Sequence, residues 1–415
     1  MFENLLYQDE AARALSSCVR EGGQTPSLLL HGPYASGKTS AALELARALS
    51  CDGEGDWNCP CPQCERHRRI SHVDVLLCGP DSFGEEIAAA LDGLSRSAAR
   101  RELYAFLRAI RRLTRRFDVE LWEGEESKLS KAAPFLASIE ELLPSVDPSL
   151  AGLEPPKAAE TAAKAAAEAL KLIPLVPGSV PVFQVRNAIR WMHLSPAVRR
   201  KVLVVENAET MLDSARNAFL KLLEEPPEGT VVVLTVQRRA ALIETVLSRL
   251  RPVAFRERTP PESREVLKRV FGEAPGGTER PAADVGSYLD AFKRPSNEEL
   301  ASSARAVAAA AFSRAAASLG MEAPASLAEA AGDGDSGFPA EALEREPFQR
   351  LCRVLLDEFS RDLRLFPTSP SFPLLAELSA RWAERVRVAA FRASTLNMSP
   401  AALARSLLLS LEETA

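Results

Sequence analysis

The stretch that most limits what this chain can fold into is Leu28-Leu29-Leu30-His31-Gly32-Pro33-Tyr34-Ala35-Ser36-Gly37-Lys38-Thr39-Ser40, an apolar run ending in G-x-x-x-x-G-K-[ST]. Gly32 and Gly37 let the backbone turn its N–H groups inward around phosphates. Lys38 can reach β- and γ-phosphates, and the Thr39 hydroxyl can hold Mg²⁺. Ala41–Leu49 reads as a helix whose positive dipole end begins at the loop. Gly32, Pro33, Ser36, Gly37, Lys38 and Thr39 are therefore the expected nucleotide contacts, with ATP and Mg²⁺ as possible ligands. A chance Gly-rich turn is the bland alternative, but strand, loop and helix stand where the motif requires them.

Around this loop, Asp9–Arg20 has helical periodicity, while Val73–Leu77, Lys201–Val205 and Thr230–Thr235 read as buried strands and Asp213–Leu223 as a helix. Strands alternating with helices predict an α/β layer with a parallel sheet. Between residues 82 and 181 the character changes to Ala, Arg, Glu and Lys, with helices expected at Arg100–Phe117 and Lys157–Leu172. Beyond Thr259 only helices are expected, at Pro260–Phe271, Asn297–Leu319, Pro347–Leu365, Pro373–Ala393 and Pro400–Glu413. Gly332–Gly337 reads as a linker among them. A net charge of −5 argues against a wholly basic nucleic-acid binder. No apolar run reaches the length of a membrane span, and Met1-Phe2-Glu3-Asn4 does not look like a signal peptide, so a cytoplasmic protein is expected.

Four of the seven cysteines, Cys51, Cys59, Cys61 and Cys64, fall within fourteen residues as C-x7-C-x-C-x2-C. Four thiolates suit a tetrahedral, structural Zn²⁺, and Cys61-Pro62-Gln63-Cys64 has the spacing of a two-ligand knuckle. Cys59-Pro60-Cys61 is a tight pair, and His67 could replace one member. A module that has lost its metal is the alternative. Cys18, Cys78 and Cys352 read as small core residues.

With these pieces in place, the chain resembles bacterial replicative clamp-loader subunits of the AAA+ family, closest to the delta-prime type of DNA polymerase III, with gamma/tau the nearest relative. The resemblance rests on Phe2–Gln8 (Tyr7 standing where the family usually has Gly), the P-loop followed by a cysteine module, Lys201–Ala208, Asn217–Pro227 (N-A-F-L-K-L-L-E-E-P-P) and Leu247-Ser248-Arg249. Asn397–Leu411 is similar to the family's last collar helix. The family's cysteine pattern is C-x8-C-x2-C-x2-C, one residue longer in two gaps. The resemblance implies an AAA+ domain over 1–257 with the zinc module at 51–64 and a helical insertion at about 82–181. It further implies a helical lid over 258–325 and an oligomerising collar over 340–415. The insertion has no counterpart in the resemblance.

An ATP-hydrolysing member carries D-E after the strand that ends here in Glu206-Asn207. Glu206 keeps a carboxylate that could serve the metal, whereas Asn207 cannot act as a base. Val236 or Gln237 falls where gamma/tau has its sensor Thr, with Thr235 beside them. The resemblance assigns Arg249 to a γ-phosphate on an adjacent subunit, as an arginine finger in trans. A surface salt bridge is the plainer reading of Arg249. Implied partners are gamma/tau-like and delta-like subunits, the sliding clamp and primer-template DNA, with no membrane. An active gamma/tau-type ATPase and an unrelated P-loop enzyme with a zinc ribbon remain the rivals.

Within the insertion, Arg108, Arg111, Arg112 and Arg115 share one helix face, opposite Leu103, Leu107, Ile110 and Phe117. They are either a solvated face or a contact for a polyanion, such as a DNA backbone or an acidic protein tail.

Overall fold

The computed structural model describes residues 1–20, 27–97, 99–149, 155–272, 282–293, 297–331, 345–366, 371–395 and 398–412. The linker expected at Gly332–Gly337 lies outside the described residues. The chain divides into two compact units, Met1–Phe292 and Lys293–Ala415. This division runs through the stretch expected to form the lid.

The first unit begins with α1 (Asp9–Arg20), β1 (Leu28–His31), α2 (Lys38–Ser50), α3 (Pro62–Arg68) and β2 (Val75–Cys78). Six helices follow before the next strand: α4 (Phe83–Arg96), α5 (Arg100–Thr114), α6 (Val119–Trp122), α7 (Glu126–Leu142), α8 (Pro155–Leu170) and α9 (Val182–Met192). Then come β3 (Lys201–Val205), α10 (Asp213–Glu224), β4 (Thr230–Val236), α11 (Glu244–Leu247), β5 (Arg251–Ala254), α12 (Pro260–Phe271) and α13 (Val285–Asp290). The five strands pair in parallel in the order β2-β3-β4-β1-β5. The α/β layer expected from the sequence is present.

Successive strand residues point to opposite sides of the sheet. Leu28, Leu30, Val202, Val204, Val231 and Val233 pack with α1 and α2. Leu29, Leu203, Val205, Val232 and Leu234 pack with side chains of α4, α5, α7, α8 and α9. Both faces are covered, which is why the strands read as continuous apolar runs. The segment expected as an insertion is thus no appendage: Phe106, Leu107, Ile110 and Leu113 of α5 belong to the core of one sheet face. The sequence reading missed β5. Three of its four residues are exposed, and Pro252 suits an edge strand because it has no N–H to donate.

The second unit is all-helical: α14 (Asn297–Ser318), α15 (Ala325–Ala331), α16 (Arg345–Leu363), α17 (Phe372–Thr395) and α18 (Pro400–Glu412). Its core is aromatic, with Phe312 edge-on to Trp382 at 5.2 Å and Phe359 5.7 Å from the same indole. Cys18, Cys78 and Cys352 are buried, as expected of small core residues. Among the described residues no helix is long and apolar enough to cross a membrane.

Candidate functional site

The loop after β1 is shaped by two glycines in the left-handed region. At Gly32 (φ 152°) a Cβ would lie 2.2 Å from the Phe255 carbonyl oxygen, so only glycine lets the loop pass the end of β5. Gly37 (φ 102°) caps α2. Lys38 is buried, and its Nζ donates to the carbonyls of Gly32 (2.8 Å) and Pro33 (2.5 Å) and to Ser36 Oγ (3.4 Å). Burial pulls its pKa down to about 8, against the opposing charges of Glu209 and Asp81.

Two side chains distant in sequence clip the loop. Gln8 Nε2 donates to Ser36 O (3.3 Å) and to Arg256 O (2.9 Å). The Arg258 guanidinium donates to Leu6 O (3.1 Å), Ala35 O (3.3 Å) and Ser36 O (2.9 Å). Sequence reasoning found neither role, because a glutamine or arginine bonding a carbonyl leaves no spacing signature. The opening stretch Phe2–Gln8 had been flagged only by resemblance.

Gly37, Lys38, Thr39 and Ser36 line a cleft of about 500 Å³. Its other walls come from α4 and α5 (Asp81 just before them, then Glu86, Arg101, Tyr104, Arg108, Arg112), from Asn207, Thr235 and Gln237 at the strand ends, and from α12 and α13.

Glu206 does not line this cleft. It is 1% exposed, and both carboxylate oxygens accept from Arg112 Nη2 at 3.1 Å, while Arg116 Nη2 bonds Oε2. Arg112 also bonds Asp81 and Glu86. This corrects the reading of the arginine face as merely solvated. Arg112 lies inside a charge cluster, Arg108 donates to the carbonyls of His67 (3.4 Å) and Arg68 (2.9 Å), Arg111 pairs with Glu140 (3.2 Å) and Arg115 with Asp118 (2.9 Å). It also corrects the metal role expected for Glu206: with its oxygens already held by two guanidinium groups, this donor set does not fit a resident Mg²⁺.

Asn207 takes the left-handed conformation (φ 47°) that asparagine tolerates. Its Nδ2 donates to Pro80 O (2.8 Å), and its N–H to Thr235 Oγ1 (3.2 Å). The end of β2 comes so close here that a Cβ on Gly79 would sit 2.1 Å from the Glu206 carbonyl oxygen.

The cysteine module closes despite its shortened gaps. The sulfurs of Cys51, Cys59, Cys61 and Cys64 all lie within 4.8 Å of one another. Tetrahedral Zn–S bonds of about 2.3 Å imply sulfur–sulfur separations of about 3.8 Å, so this donor set fits one Zn²⁺. The N–H of Cys64 donates to Cys61 Sγ (3.4 Å), that of Gly53 to Cys51 Sγ (3.3 Å), and Arg47 of α2 to Cys64 Sγ (2.9 Å). His67, weighed as a replacement ligand, is stacked instead on His72 with ring centroids 4.1 Å apart and is not part of the cluster.

Arg249 stands apart from the cleft. It pairs with Glu224 of the E-E-P-P block at 2.5 Å and donates to Thr245 O (2.6 Å).

Comparison with known proteins bears on the same regions. The family described as DNA polymerase III, delta subunit, matches residues 7–106 and 154–259, so much of the supposed insertion has a family counterpart and only 107–153 falls between the matched stretches. A DNA polymerase III subunit delta' of Bacillus subtilis is 33% identical over 61 residues, 15% of this chain and 18% of that protein. The Yersinia pestis subunit delta' is 47% identical over 49 residues, 12% of this chain and 14% of the relative. The matched stretches thus span less than a fifth of either relative. A gamma subunit-related protein of Thermotoga maritima, 17% identical, aligns over 98% of this chain and 99% of its own with a TM-score of 0.38. With the family profile running through the P-loop, the cysteine module and all five strands, the chain belongs to the DNA polymerase III clamp-loader family.

Proposed function

We propose that this chain is a delta-prime-type subunit that helps load the sliding clamp onto primed DNA without hydrolysing ATP itself. The observation that carries this reading is Asn207. It stands where a hydrolysing member has its catalytic Glu, and its amide is committed to the Pro80 carbonyl. An amide can orient water but cannot accept a proton, and loss of a general base costs about 10²- to 10⁴-fold in rate. Its partners on this reading are gamma/tau-like and delta-like subunits, the clamp and primer-template DNA. α12 and α13 serve as part of a lid and the second helical unit as an oligomerising collar. The partly exposed Arg249 acts on nucleotide in a neighbouring subunit, and Zn²⁺ is structural.

The test is steady-state ATP hydrolysis by the purified chain, alone and mixed with candidate partner subunits. No turnover is expected from the chain alone. Turnover on the order of 1 s⁻¹ or faster, in the usual enzyme range, would make it a gamma/tau-type motor.

A further inference from the structure

The cleft distributes its charge in a way the P-loop motif does not require. Arg101, Tyr104, Arg108 and Arg112 recur at i, i+3, i+7 and i+11, so one stripe of α5 forms a cleft wall. Of the carboxylates along this wall, Asp81 and Glu86 both bond Arg112, and the second Asp81 oxygen accepts from Ser82 N at 2.9 Å. Glu206, beneath them, is shared between Arg112 and Arg116. The acidic groups along this wall are therefore spent on arginine.

Three cations in the same cleft have the opposite arrangement. Lys38, Arg108 and Arg258 bond only carbonyl and hydroxyl oxygens, and none makes a salt bridge among the described residues. They come from the P-loop, from α5 and from the segment between β5 and α12. Partly buried cations without a counter-anion favour a polyanionic ligand, since its binding relieves their desolvation and mutual repulsion.

We propose that this cleft takes a nucleoside triphosphate without a divalent cation, with Lys38, Arg108 and Arg258 supplying the positive charge that Mg²⁺ supplies elsewhere in P-loop proteins. This rests on the reading of the cleft as a nucleotide site. A triphosphate stripped of Mg²⁺ is more negative than its complex, which matches a cleft with uncompensated cations and engaged carboxylates. Glu209 is the competing metal ligand. Its Oε1 accepts from Gln237 N (2.9 Å), but its Oε2 is buried with no hydrogen-bond partner.

The experiment is calorimetric titration of the full chain with ATP, in Mg²⁺ buffer and in magnesium-free buffer, with no chelator so that the cysteine module is left intact. Binding about tenfold or more tighter in magnesium-free buffer is expected, because Mg²⁺ in solution sequesters the bare triphosphate that this cleft takes. Equal or tighter binding with Mg²⁺ would overturn the inference while leaving the nucleotide reading intact. If Glu209→Gln then abolished that Mg²⁺ response, Glu209 would be the metal ligand. Binding in neither buffer would remove the nucleotide reading and the inference with it. Arg108→Gln, which breaks no salt bridge, should weaken magnesium-free binding about tenfold or more, the size of one charge-assisted hydrogen bond. Arg258→Gln is the second variant should Arg108→Gln misfold, and unchanged magnesium-free affinity in both, once folded, refutes the assignment.

Discussion

The two compact units bury charge in different ways. In the first, Glu206 is enclosed between Arg112 and Arg116, and Arg112 is shared with Asp81 and Glu86, so α5 is tied to the ends of β2 and β3 by opposite charges. In the second, Glu358 and Asp362 sit one helical turn apart on α16 and are 2% and 3% exposed. Glu358 finds Arg361 at 2.6 Å, whereas Asp362 Oδ2 is buried without a partner. Burial, and then the neighbouring Glu358, pushes the Asp362 pKa up to about 6. Glu206 offsets its desolvation with counter-charge, whereas Asp362 holds its proton to higher pH. The four sulfurs of the cysteine module are arranged for a third solution, in which a metal would balance the charge.

The largest effect should come from that third case. Structural Zn²⁺ contributes about 10–16 kcal/mol of binding energy in small finger peptides, so Cys64→Ser should lose about one equivalent of zinc by metal analysis and loosen the backbone around α3. A wild-type protein that is fully folded and metal-free would remove this pole of the comparison.

Arg116→Leu comes next. It leaves Glu206 with one guanidinium in a site closed to water, and breaking a buried pair costs about 3–5 kcal/mol. Denaturant unfolding should show it, and a loss under about 1 kcal/mol would mean that Arg112 alone satisfies Glu206.

A smaller effect, defined by its pH dependence, is expected at Asp362. Its folded pKa lies above the unfolded value of 3.8, so the stability it contributes is present below that value and lost as pH rises through about 6. Asp362→Asn should therefore be more stable than wild type near about pH 8 and lose that advantage near about pH 4, read from thermal unfolding. An equal difference at both pH values would show that a proton is not what balances this carboxylate.

Arg249→Ala should have the least effect on this chain's own stability, within about 1 kcal/mol, because its pair with Glu224 is exposed. On the proposed function it should nonetheless slow hydrolysis by the assembled complex by about 10³-fold or more. Unchanged hydrolysis would reduce Arg249 to a surface salt bridge.

Much of the first unit was legible because its signals are local. The P-loop spacing places β1 and α2, unbroken apolar runs mark β2, β3 and β4, and helix-forming composition locates α5 and α8 within a few residues. The arginine stripe was legible as a stripe and not as a cluster. The spacing i, i+3, i+4, i+7 is the same whether solvent or carboxylates face it, and its partners Asp81 and Glu206 lie 31 and 94 positions from Arg112. Gln8 and Arg258 were missed for a related reason: their partners in the P-loop are carbonyls, which every residue carries. His67 misled because a histidine near cysteines suggests a ligand, whereas its ring is taken up by His72.

The alanine-rich α8 carries a further consequence. Ala158, Ala162, Ala165, Ala166 and Ala169 are buried where α8 meets α4, α5 and α7. Each of these positions tolerates drift in neither direction. An added methylene overfills the seam at about 1–3 kcal/mol, and a glycine lowers helix propensity by about 1 kcal/mol. A stretch that looks like low-complexity filler is thus held to a single side-chain size. A designer free to recode most of the solvent-facing surface would find these five letters among the hardest to change.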